Sequence, residues 1–388
     1  MLLAMVQFTH IMDFMIMMPL GPQLMRLFEI TPRQFGFLVS AYTFTAGISG
    51  FAGAFFVDRF DRKSVLLVAY MGFTLGTLAC ALAPNYEFLM AARSLAGAFG
   101  GVLGAMILSA VGDAISHEKR GRAMGIVMAS FSLASVFGVP FGLYLANLFS
   151  WHAPFVFVGA AAAVNTLLLL FYMPSMGAHK VNGREFPSPI AILQTIATDK
   201  NQITALGLTI FLTFSQFLLI PFLSPSMVAN VGFLESDLPY IYFVGGGLTI
   251  FTSPLVGRLA DRFGKHRVFL ITSLFVILPV WLTTHMGPTP IASALVVTAL
   301  FFVLGNGRFV TSTAMVTAAV QPASRGSFMS INSSVQSLAS GSAALISGFI
   351  VATGPNGRLL HYDRVGYLSL ALTLAAMAVA TRLRAVDV

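Results

Sequence analysis

The stretch DRFGKHR, residues 261–267, lies between two long apolar runs, and the similar stretch DRFDRK, residues 58–63, lies in the same setting 203 positions earlier (261 minus 58). Two further landmarks repeat at nearly this offset. They are RGRAM at 120–124 with RGSFM at 325–329, and the pair Pro19/Pro22 with Pro221/Pro225. Three matched landmarks at nearly one spacing indicate that the chain is built from two similar halves in parallel orientation.

The composition around these landmarks indicates an integral membrane protein. The chain is 57% hydrophobic and 9% charged, whereas a soluble domain is about 45–50% apolar and about 25% charged. A bilayer core of about 30 Å needs roughly 20 apolar residues per helix, and twelve such runs are present. We predict spans at 1–24, 33–57, 64–83, 87–112, 121–147, 151–173, 202–225, 238–260, 267–285, 290–318, 324–352 and 362–384. The runs are too long to be the strands of a membrane barrel, and their apolar and polar residues do not alternate as in such strands.

The positive charge is spread between the predicted spans rather than gathered on one soluble domain. Of the 22 Lys and Arg residues, four lie on one side of the membrane (26, 33, 358 and 364), two lie within spans (93 and 308), and the other sixteen lie on the opposite side. Lys and Arg concentrate on the cytoplasmic side of membrane proteins. Both termini and both basic clusters are therefore expected in the cytoplasm, and the net charge of +8 indicates topology rather than nucleic-acid binding.

The longest polar interval separates the first six predicted spans from the last six. We therefore expect an all-α membrane protein with an N-terminal six-helix bundle at 1–174, a cytoplasmic central loop at 175–201 and a C-terminal six-helix bundle at 202–388. The first apolar run lacks the basic start and the cleavage site of a signal peptide. It is expected to remain as a membrane helix.

These residues resemble the Major Facilitator Superfamily, whose loop between the second and third helices follows the pattern G-x-x-x-D-R-x-G-R-K. The second copy, Gly257 to Lys265, fits closely, whereas the first has Ala54 for the leading glycine and Asp61 for the internal one. The resemblance implies twelve helices in two bundles related by pseudo-two-fold symmetry, and transport by alternating access. It also implies that the loop residues act in gating; anchoring by positive charge alone is the alternative. The matching positions are Asp58, Arg59, Arg62, Lys63, Gly257, Asp261, Arg262, Gly264 and Lys265.

Two further elements resemble the drug and sugar-efflux proton antiporters of that superfamily. The fourth helix carries Arg93-Ser94-Leu95-Ala96-Gly97, similar to their R-x-x-x-G element. The fifth helix carries a loosened version of their glycine-rich motif, and its proline has no counterpart in the eleventh helix. The positions of this antiporter-like motif are Gly125, Gly138, Pro140 and Gly142. The resemblance implies proton-coupled export.

Three formally charged residues lie well inside predicted spans: Asp13, Arg93 and Arg308. A charge there costs at least about 2.5–3.5 kcal/mol unless it is paired or wetted. In the resembling fold, helices one, four, seven and ten line the cavity, so all three could face it. Asp13 is the leading candidate for proton coupling, with Arg93 tuning it and His10, one turn earlier on the same face, sharing the proton. The alternatives for Asp13 are structural pairing with Arg93 or capping of a broken helix near Pro19. The alternative for His10 is core packing.

The predicted substrate site lies on the same cavity helices. Arg308 follows Gly305-Asn306-Gly307, where small side chains permit close approach, and its repeat equivalent is Leu103. We expect Arg308 to bind substrate or an anion, with Asn306, Gln216 and Gln7 as further contacts. For Arg308 the alternative is a structural hydrogen bond to backbone carbonyls, and for the other three residues it is an interhelical hydrogen bond.

These residues favour a secondary transporter that exports a small organic solute, drug-like or sugar-like, in exchange for protons. A proton-linked or facilitative importer of an organic anion is the alternative, because two buried arginines outnumber one buried aspartate; a non-transporting membrane sensor is more remote. No nucleotide-binding loop, catalytic set or metal-ligand cluster is visible, and Cys80 has no partner, so we expect no enzyme activity, cofactor or metal. The expected partners are a small-molecule substrate, protons and the lipid bilayer, without nucleic acid, for a monomer in a bacterial inner membrane.

Overall fold

The computed structural model describes residues 1–56, 60–114, 117–174, 189–321 and 324–386. The helices are α1 Leu2–Ile16, α2 Gly21–Leu27, α3 Pro32–Phe56, α4 Arg62–Ala81, α5 Tyr86–Ala114, α6 His117–Leu133, α7 Val139–Leu148, α8 Ala153–Tyr172, α9 Pro189–Thr198, α10 Lys200–Phe217, α11 Ile220–Ser226, α12 Leu238–Phe263, α13 Lys265–Phe275, α14 Ile277–His285, α15 Ile291–Ala318, α16 Arg325–Ile350 and α17 Tyr362–Ala380. A hairpin of two short strands, β1 Ala352–Thr353 and β2 Leu359–Leu360, precedes α17.

All twelve predicted spans are helical in the described ranges. Ten helical stretches are long and apolar enough to cross a membrane, and the bent pair of α1 and α2 makes an eleventh. The remaining predicted span is α16, which has 26 residues but is rich in serine. α16 is therefore long enough to cross the membrane but is less apolar than the other spans.

Four of the spans are broken rather than continuous. α1 and α2 are bent by 55° across a break that contains Pro19, and a π turn at Ala134–Gly138 precedes Pro140. Pro221 follows the break between α10 and α11, and Pro279 follows the break between α13 and α14. Proline has no N–H to donate to the helix ladder. Each of these sites therefore loses backbone hydrogen bonds, and the predicted spans 1–24, 121–147, 202–225 and 267–285 each consist of two or more helical pieces.

The helices form two groups of neighbours. α1, α3, α4, α5, α6 and α8 contact one another in the N-terminal half, and α10, α12, α13, α14, α15, α16 and α17 do so in the C-terminal half. The halves meet mainly along α3 and α16, where a Cβ at Gly36 would lie 3.1 Å from the Cα atom of Gly348. α12 also contacts α7 and the π turn before it. Glycines thus allow the two halves to approach closely.

The central segment contains a helix where a loop was expected. Its last part forms α9, and α10 begins at Lys200, before the expected boundary at residue 202. The Asp199 carboxylate accepts hydrogen bonds from the backbone N–H groups of Asn201 and Gln202, which fixes the start of α10. Ile196 of α9 is buried in an apolar cluster of the C-terminal half, so α9 is attached to that half.

Candidate functional site

A buried ion pair joins the first and fourth spans. Arg93 Nη1 of α5 lies 2.7 Å from Asp13 Oδ2 of α1 and donates to the Asp13 carbonyl oxygen at 3.4 Å. Thr77 of α4 donates to the other carboxylate oxygen at 3.1 Å. The exposed fraction is 0% for Asp13 and 1% for Arg93. Each carboxylate oxygen therefore has a hydrogen-bond donor, and the donor to Oδ2 is charged.

Tyr42 of α3 completes this cluster, although nothing in its sequence context singles it out. The Arg93 Cζ atom lies 4.4 Å from the centroid of the Tyr42 ring, which is a cation–π contact. The Tyr42 hydroxyl is buried and has no hydrogen-bond partner among the described residues. Tyr and Thr are common in membrane helices, so the contacts of Tyr42 and Thr77 with the ion pair emerge only from the tertiary structure.

His10 lies one turn before Asp13 and contacts the cluster through its ring. The His10 centroid is 5.6 Å from that of Phe73 and 6.4 Å from that of Tyr42. Its Nδ1 atom is buried without a hydrogen-bond partner in the described part of the chain, and a Cβ at Gly100 would lie 3.2 Å from its Nε2 atom. His10 is thus beside the ion pair without bonding to Asp13, and its part in proton transfer stays a prediction.

A second buried cation, Arg308 of α15, has neutral partners. Its Nη2 donates to Gln216 Oε1 of α10 at 2.7 Å, and its Nη1 donates to Thr373 Oγ1 of α17 at 3.0 Å. Nε is buried without a partner, and no carboxylate of the described ranges lies within ion-pair distance. Arg308 is 1% exposed. Hydrogen bonds to uncharged groups hold this charge in the C-terminal half.

The structure brings together two of the four predicted substrate residues. Gln216 and Arg308 are in direct contact, whereas Asn306 of α15 donates to Ser253 of α12 at 2.5 Å. Gln7 is half-buried on α1 and lies in the other half. Arg308 and Asn306 therefore bond to different neighbouring helices, and the substrate role of all four residues stays a prediction.

The glycine-rich part of the fifth span packs on the first span. A Cβ at Gly142 would lie 2.7 Å from Ile16 Cδ1, and one at Gly138 would lie 3.2 Å from Met12 Sδ. The helices approach this closely because these side chains are absent. Pro140 is buried in the first turn of α7, and Gly125 lies in open space. Gly138 and Gly142 thus pack beside the helix that carries Asp13, and Gly125 does not.

The first basic cluster anchors helix ends. Asp58 and Arg59 lie outside the described residues. Asp61 caps α4 by accepting a hydrogen bond from the backbone N–H of Ser64 at 3.1 Å. Lys63 Nζ donates to the carbonyl oxygen of Leu170, near the end of α8, at 3.0 Å. The aspartate that departs from the family pattern therefore has a local use as a helix cap.

The second basic cluster joins two helices through a single residue. Gly264 alone links α12 to α13, and its φ of 94° lies in the region that glycine adopts at little cost. The Arg262 guanidinium lies 5.2 Å from the centroid of the Phe263 ring. Asp261 is exposed, and neither it nor Lys265 forms an ion pair with another described residue. Backbone geometry explains why glycine occupies position 264. The gating role of both clusters stays a prediction.

On the face opposite the basic clusters, polar contacts join the two halves. Arg26 at the end of α2 pairs with Glu235, which precedes α12, with Nη1 3.1 Å from Oε1. Gln23 donates to the Asn147 side chain at 3.0 Å, and Asn147 Nδ2 donates to the Glu235 carbonyl oxygen at 3.3 Å. The first, fifth and eighth spans are thus tied together on this face.

Known proteins resemble this chain in sequence over much of its length. The Major Facilitator Superfamily profile matches residues 3–344 and, separately, residues 205–387. The uncharacterized MFS-type transporter YwfA of Bacillus subtilis is 27% identical over 272 residues, which are 66% of this chain and 62% of YwfA, so the aligned stretch spans less than two thirds of that relative. The putative transporter AraJ of Escherichia coli is 24% identical over 356 residues, which are 88% of this chain and 84% of AraJ.

Solved structures have the same fold. The D-xylose-proton symporter superposes with a TM-score of 0.77 at 14% identity, over 97% of this chain and 95% of the other. A bacterial homologue of the human lysosomal transporter Spinster, in an inward-facing and occupied conformation, superposes with a TM-score of 0.74 at 17% identity, over 99% and 96%. The predicted fold of two six-helix bundles is confirmed. The relatives and solved structures that the chain resembles are named as transporters rather than enzymes. The chain is a multi-pass membrane protein that belongs to the Major Facilitator Superfamily.

Proposed function

We propose that this chain is a secondary active transporter that works by alternating access and exports a small organic solute, drug-like or sugar-like, in exchange for protons. The observation that carries the proposal is the buried pair of Asp13 and Arg93. Binding of one proton to Asp13 would change the net charge of this pair, which connects the first and fourth spans.

Protonation of Asp13 would change this contact in a defined way. The ionised pair is neutral overall, and both carboxylate oxygens accept hydrogen bonds. A protonated Asp13 leaves the charge of Arg93 without a counter-ion in buried surroundings, which is strongly unfavourable. Proton binding therefore favours an arrangement in which Arg93 meets water or another anion. Such a link between a proton and helix packing is what an antiporter requires.

The contacts of Arg26 and Glu235 correspond to a state of the cycle that is closed on their face. By the positive-inside rule, the opposite, basic face lies in the cytoplasm. We propose that both termini are cytoplasmic, that the protein is a monomer in a bacterial inner membrane, and that the basic clusters stabilise the state that is closed on the cytoplasmic face.

The proposal is tested by comparing wild type with Asp13→Asn. Overproduced wild type should raise the tolerance of a sensitive host to a member of a panel of dyes, antibiotics and toxic sugar analogues that includes carboxylates, and Asp13→Asn should not. In membrane vesicles that maintain a pH gradient, addition of the same compound should cause protons to leave the vesicles that contain wild type, but not those that contain Asp13→Asn. Glu87→Gln removes an exposed carboxylate at the start of α5 and is the matched control. Equal tolerance and equal proton release with wild type and Asp13→Asn would contradict coupling through Asp13.

A second candidate function is import of an organic anion, either proton-linked or facilitative. Arg308 favours it, because its buried charge has only uncharged partners among the described residues. Uptake of a labelled carboxylate into proteoliposomes separates the candidates. Uptake driven by an outside-acid gradient indicates symport, uptake driven by an inside-acid gradient indicates exchange, and uptake independent of either gradient indicates facilitated transport.

A further inference from the structure

Equivalent turns in the two halves carry an aspartate in one and a glutamine in the other. Asp13 and Gln216 are 203 positions apart (216 minus 13), which is the offset of the two basic clusters. The residues that follow them, Phe14 and Phe217, have ring centroids 6.1 Å apart. Two residues related by a two-fold axis touch each other only close to that axis. Asp13 and Gln216 therefore lie on equivalent turns, next to the interface between the halves.

Each of these two residues accepts a hydrogen bond from a buried arginine. Arg93 donates to Asp13 Oδ2 and Arg308 donates to Gln216 Oε1, in both cases at 2.7 Å. The arginines themselves are not equivalent, because the repeat position of Arg308 is Leu103. The N-terminal half thus supplies a counter-ion for its arginine, whereas the C-terminal half supplies a neutral amide.

The Arg308 guanidinium keeps donors that no described residue uses. Thr373 accepts from Nη1 and Gln216 accepts from Nη2, and the buried Nε–H has no partner among the described residues. Thr213, one turn before Gln216 on α10, also has a buried hydroxyl without a partner in those ranges. A carboxylate binds a guanidinium through two parallel hydrogen bonds from neighbouring nitrogens. The Nε–H and the second N–H of each Nη atom are the donors of Arg308 that remain for a carboxylate.

We propose that Arg308, Gln216 and Thr373 form a binding site for the carboxylate group of a small organic anion, and that this anion is the transported solute. The proposal rests on the proposed function only in requiring transport of a small organic solute; it depends on neither proton coupling nor direction. The bound carboxylate supplies the counter-ion that the C-terminal half lacks. Its position next to the interface between the halves is where alternating access exposes a ligand to each side in turn.

A purely structural role for Arg308 makes a different prediction. If the guanidinium only ties α10, α15 and α17 together through Gln216 and Thr373, external carboxylates will not stabilise the protein. Gln216→Glu separates the two roles, because it introduces a carboxylate at the position equivalent to Asp13. That internal carboxylate would pair with Arg308 and compete with an external one.

The test follows thermal unfolding of the purified full-length protein in detergent with sodium acetate, sodium lactate and sodium benzoate. Sodium chloride and benzamide are the inorganic and neutral controls. At least one carboxylate should raise the wild-type midpoint in a saturable way, and neither control should. Arg308→Gln should weaken the apparent Kd by roughly tenfold or more, because charge-assisted hydrogen bonds are lost. Gln216→Glu should raise the midpoint without ligand and remove the response.

Arg358→Gln is the matched control, because it removes an exposed arginine from the loop before α17 and should respond as wild type does. The proposal is overturned if none of the three carboxylates shifts the wild-type midpoint, or if Arg308→Gln keeps the wild-type Kd. If Arg308→Gln does not fold, an undiminished response in Gln216→Glu overturns it instead. Asp13→Asn separates this proposal from proton-coupled export, because it should lose proton release and retain the carboxylate response.

Discussion

Arg26 Nη1 and Glu235 Oε1 lie 3.1 Å apart and join the end of the first span to the start of the eighth, so an ion pair connects the two halves on the face opposite the basic clusters. The Arg26 side chain is 66% exposed and that of Glu235 is 19% exposed. An exposed pair of this kind contributes about 0–1 kcal/mol. Hydrogen bonds of Asn147 to Gln23 and to Glu235 add to it. A contact of this strength can break and re-form in every cycle of the proposed alternating access.

Holding this face closed should stop transport. In a Cys80→Ala background, Arg26→Cys and Glu235→Cys joined by a short bis-methanethiosulfonate linker should show no solute flux in proteoliposomes, because the first and eighth spans cannot separate. A reducing agent should restore the flux. Each single cysteine variant, treated in the same way, is the control. Full flux through the linked double variant would mean that transport does not require this contact to open.

Removing one partner of the buried pair should lower the free energy of unfolding more than removing both partners. Asp13→Ala leaves the charge of Arg93 buried and unpaired, so we expect a loss of about 3–5 kcal/mol in the free energy of unfolding. Asp13→Ala combined with Arg93→Met should recover part of that loss. Denaturant unfolding in detergent of the wild type, both single variants and the double variant gives the coupling energy. Strictly additive losses would contradict a direct interaction.

Tyr42 offers a test of the cation–π contact. Tyr42→Phe keeps the ring beside Arg93 and removes a buried hydroxyl that has no partner among the described residues, so stability should be unchanged or higher. Tyr42→Leu removes the aromatic face, and a desolvated cation–π contact contributes about 2 kcal/mol. Thermal unfolding midpoints compare the two variants. Equal losses would assign the stabilisation to the hydroxyl rather than to the ring.

Each basic cluster contains one residue whose structural role can be tested by its effect on stability. Asp61→Ala removes the cap of α4 and should cost about 1 kcal/mol, whereas Asp61→Asn retains a capping oxygen. Gly264→Ala forces alanine into a φ of 94° and should cost about 1–3 kcal/mol. Gly257→Ala is the control, because a Cβ there meets open space within α12. A loss at Gly257→Ala equal to that at Gly264→Ala would remove backbone conformation as the reason for the glycine.

The features that the sequence predicts well are those that the bilayer imposes. The length of each apolar run sets the helices, and charges inside such runs are conspicuous, so Asp13, Arg93 and Arg308 stand out at once. Pairing of Asp13 with Arg93 is one of the alternatives that the sequence offers, and the two side chains are 2.7 Å apart. The helix breaks also have a local signal, because Pro140, Pro221 and Pro279 lie next to them.

Contacts that depend on how helices rotate and on how the halves meet are not predicted. Thr77, Tyr42 and Thr373 belong to residue types that occur throughout these helices, and only the fold turns them towards a charge. Arg26 and Glu235 are 209 positions apart, so no local periodicity connects them. The sequence predicts Asn306 as a substrate contact because it is a polar residue on the same cavity helix as Arg308. Residues two positions apart on a helix do not face the same way, so the two side chains have different partners.

The serine-rich helix α16 has a consequence for how the chain enters the membrane during synthesis. Ser334, Ser340 and Ser347 are buried, and a Cβ at Gly341 would lie 2.5 Å from Thr43 Oγ1 of α3. A helix of this composition gains little from contact with lipid tails, so it depends on a partner helix that the ribosome completes long before it. α3 is the main neighbour of α16, and α10 of the same half is the second. A C-terminal half made alone would therefore keep α10 beside α16 but lack the helix that covers most of its surface.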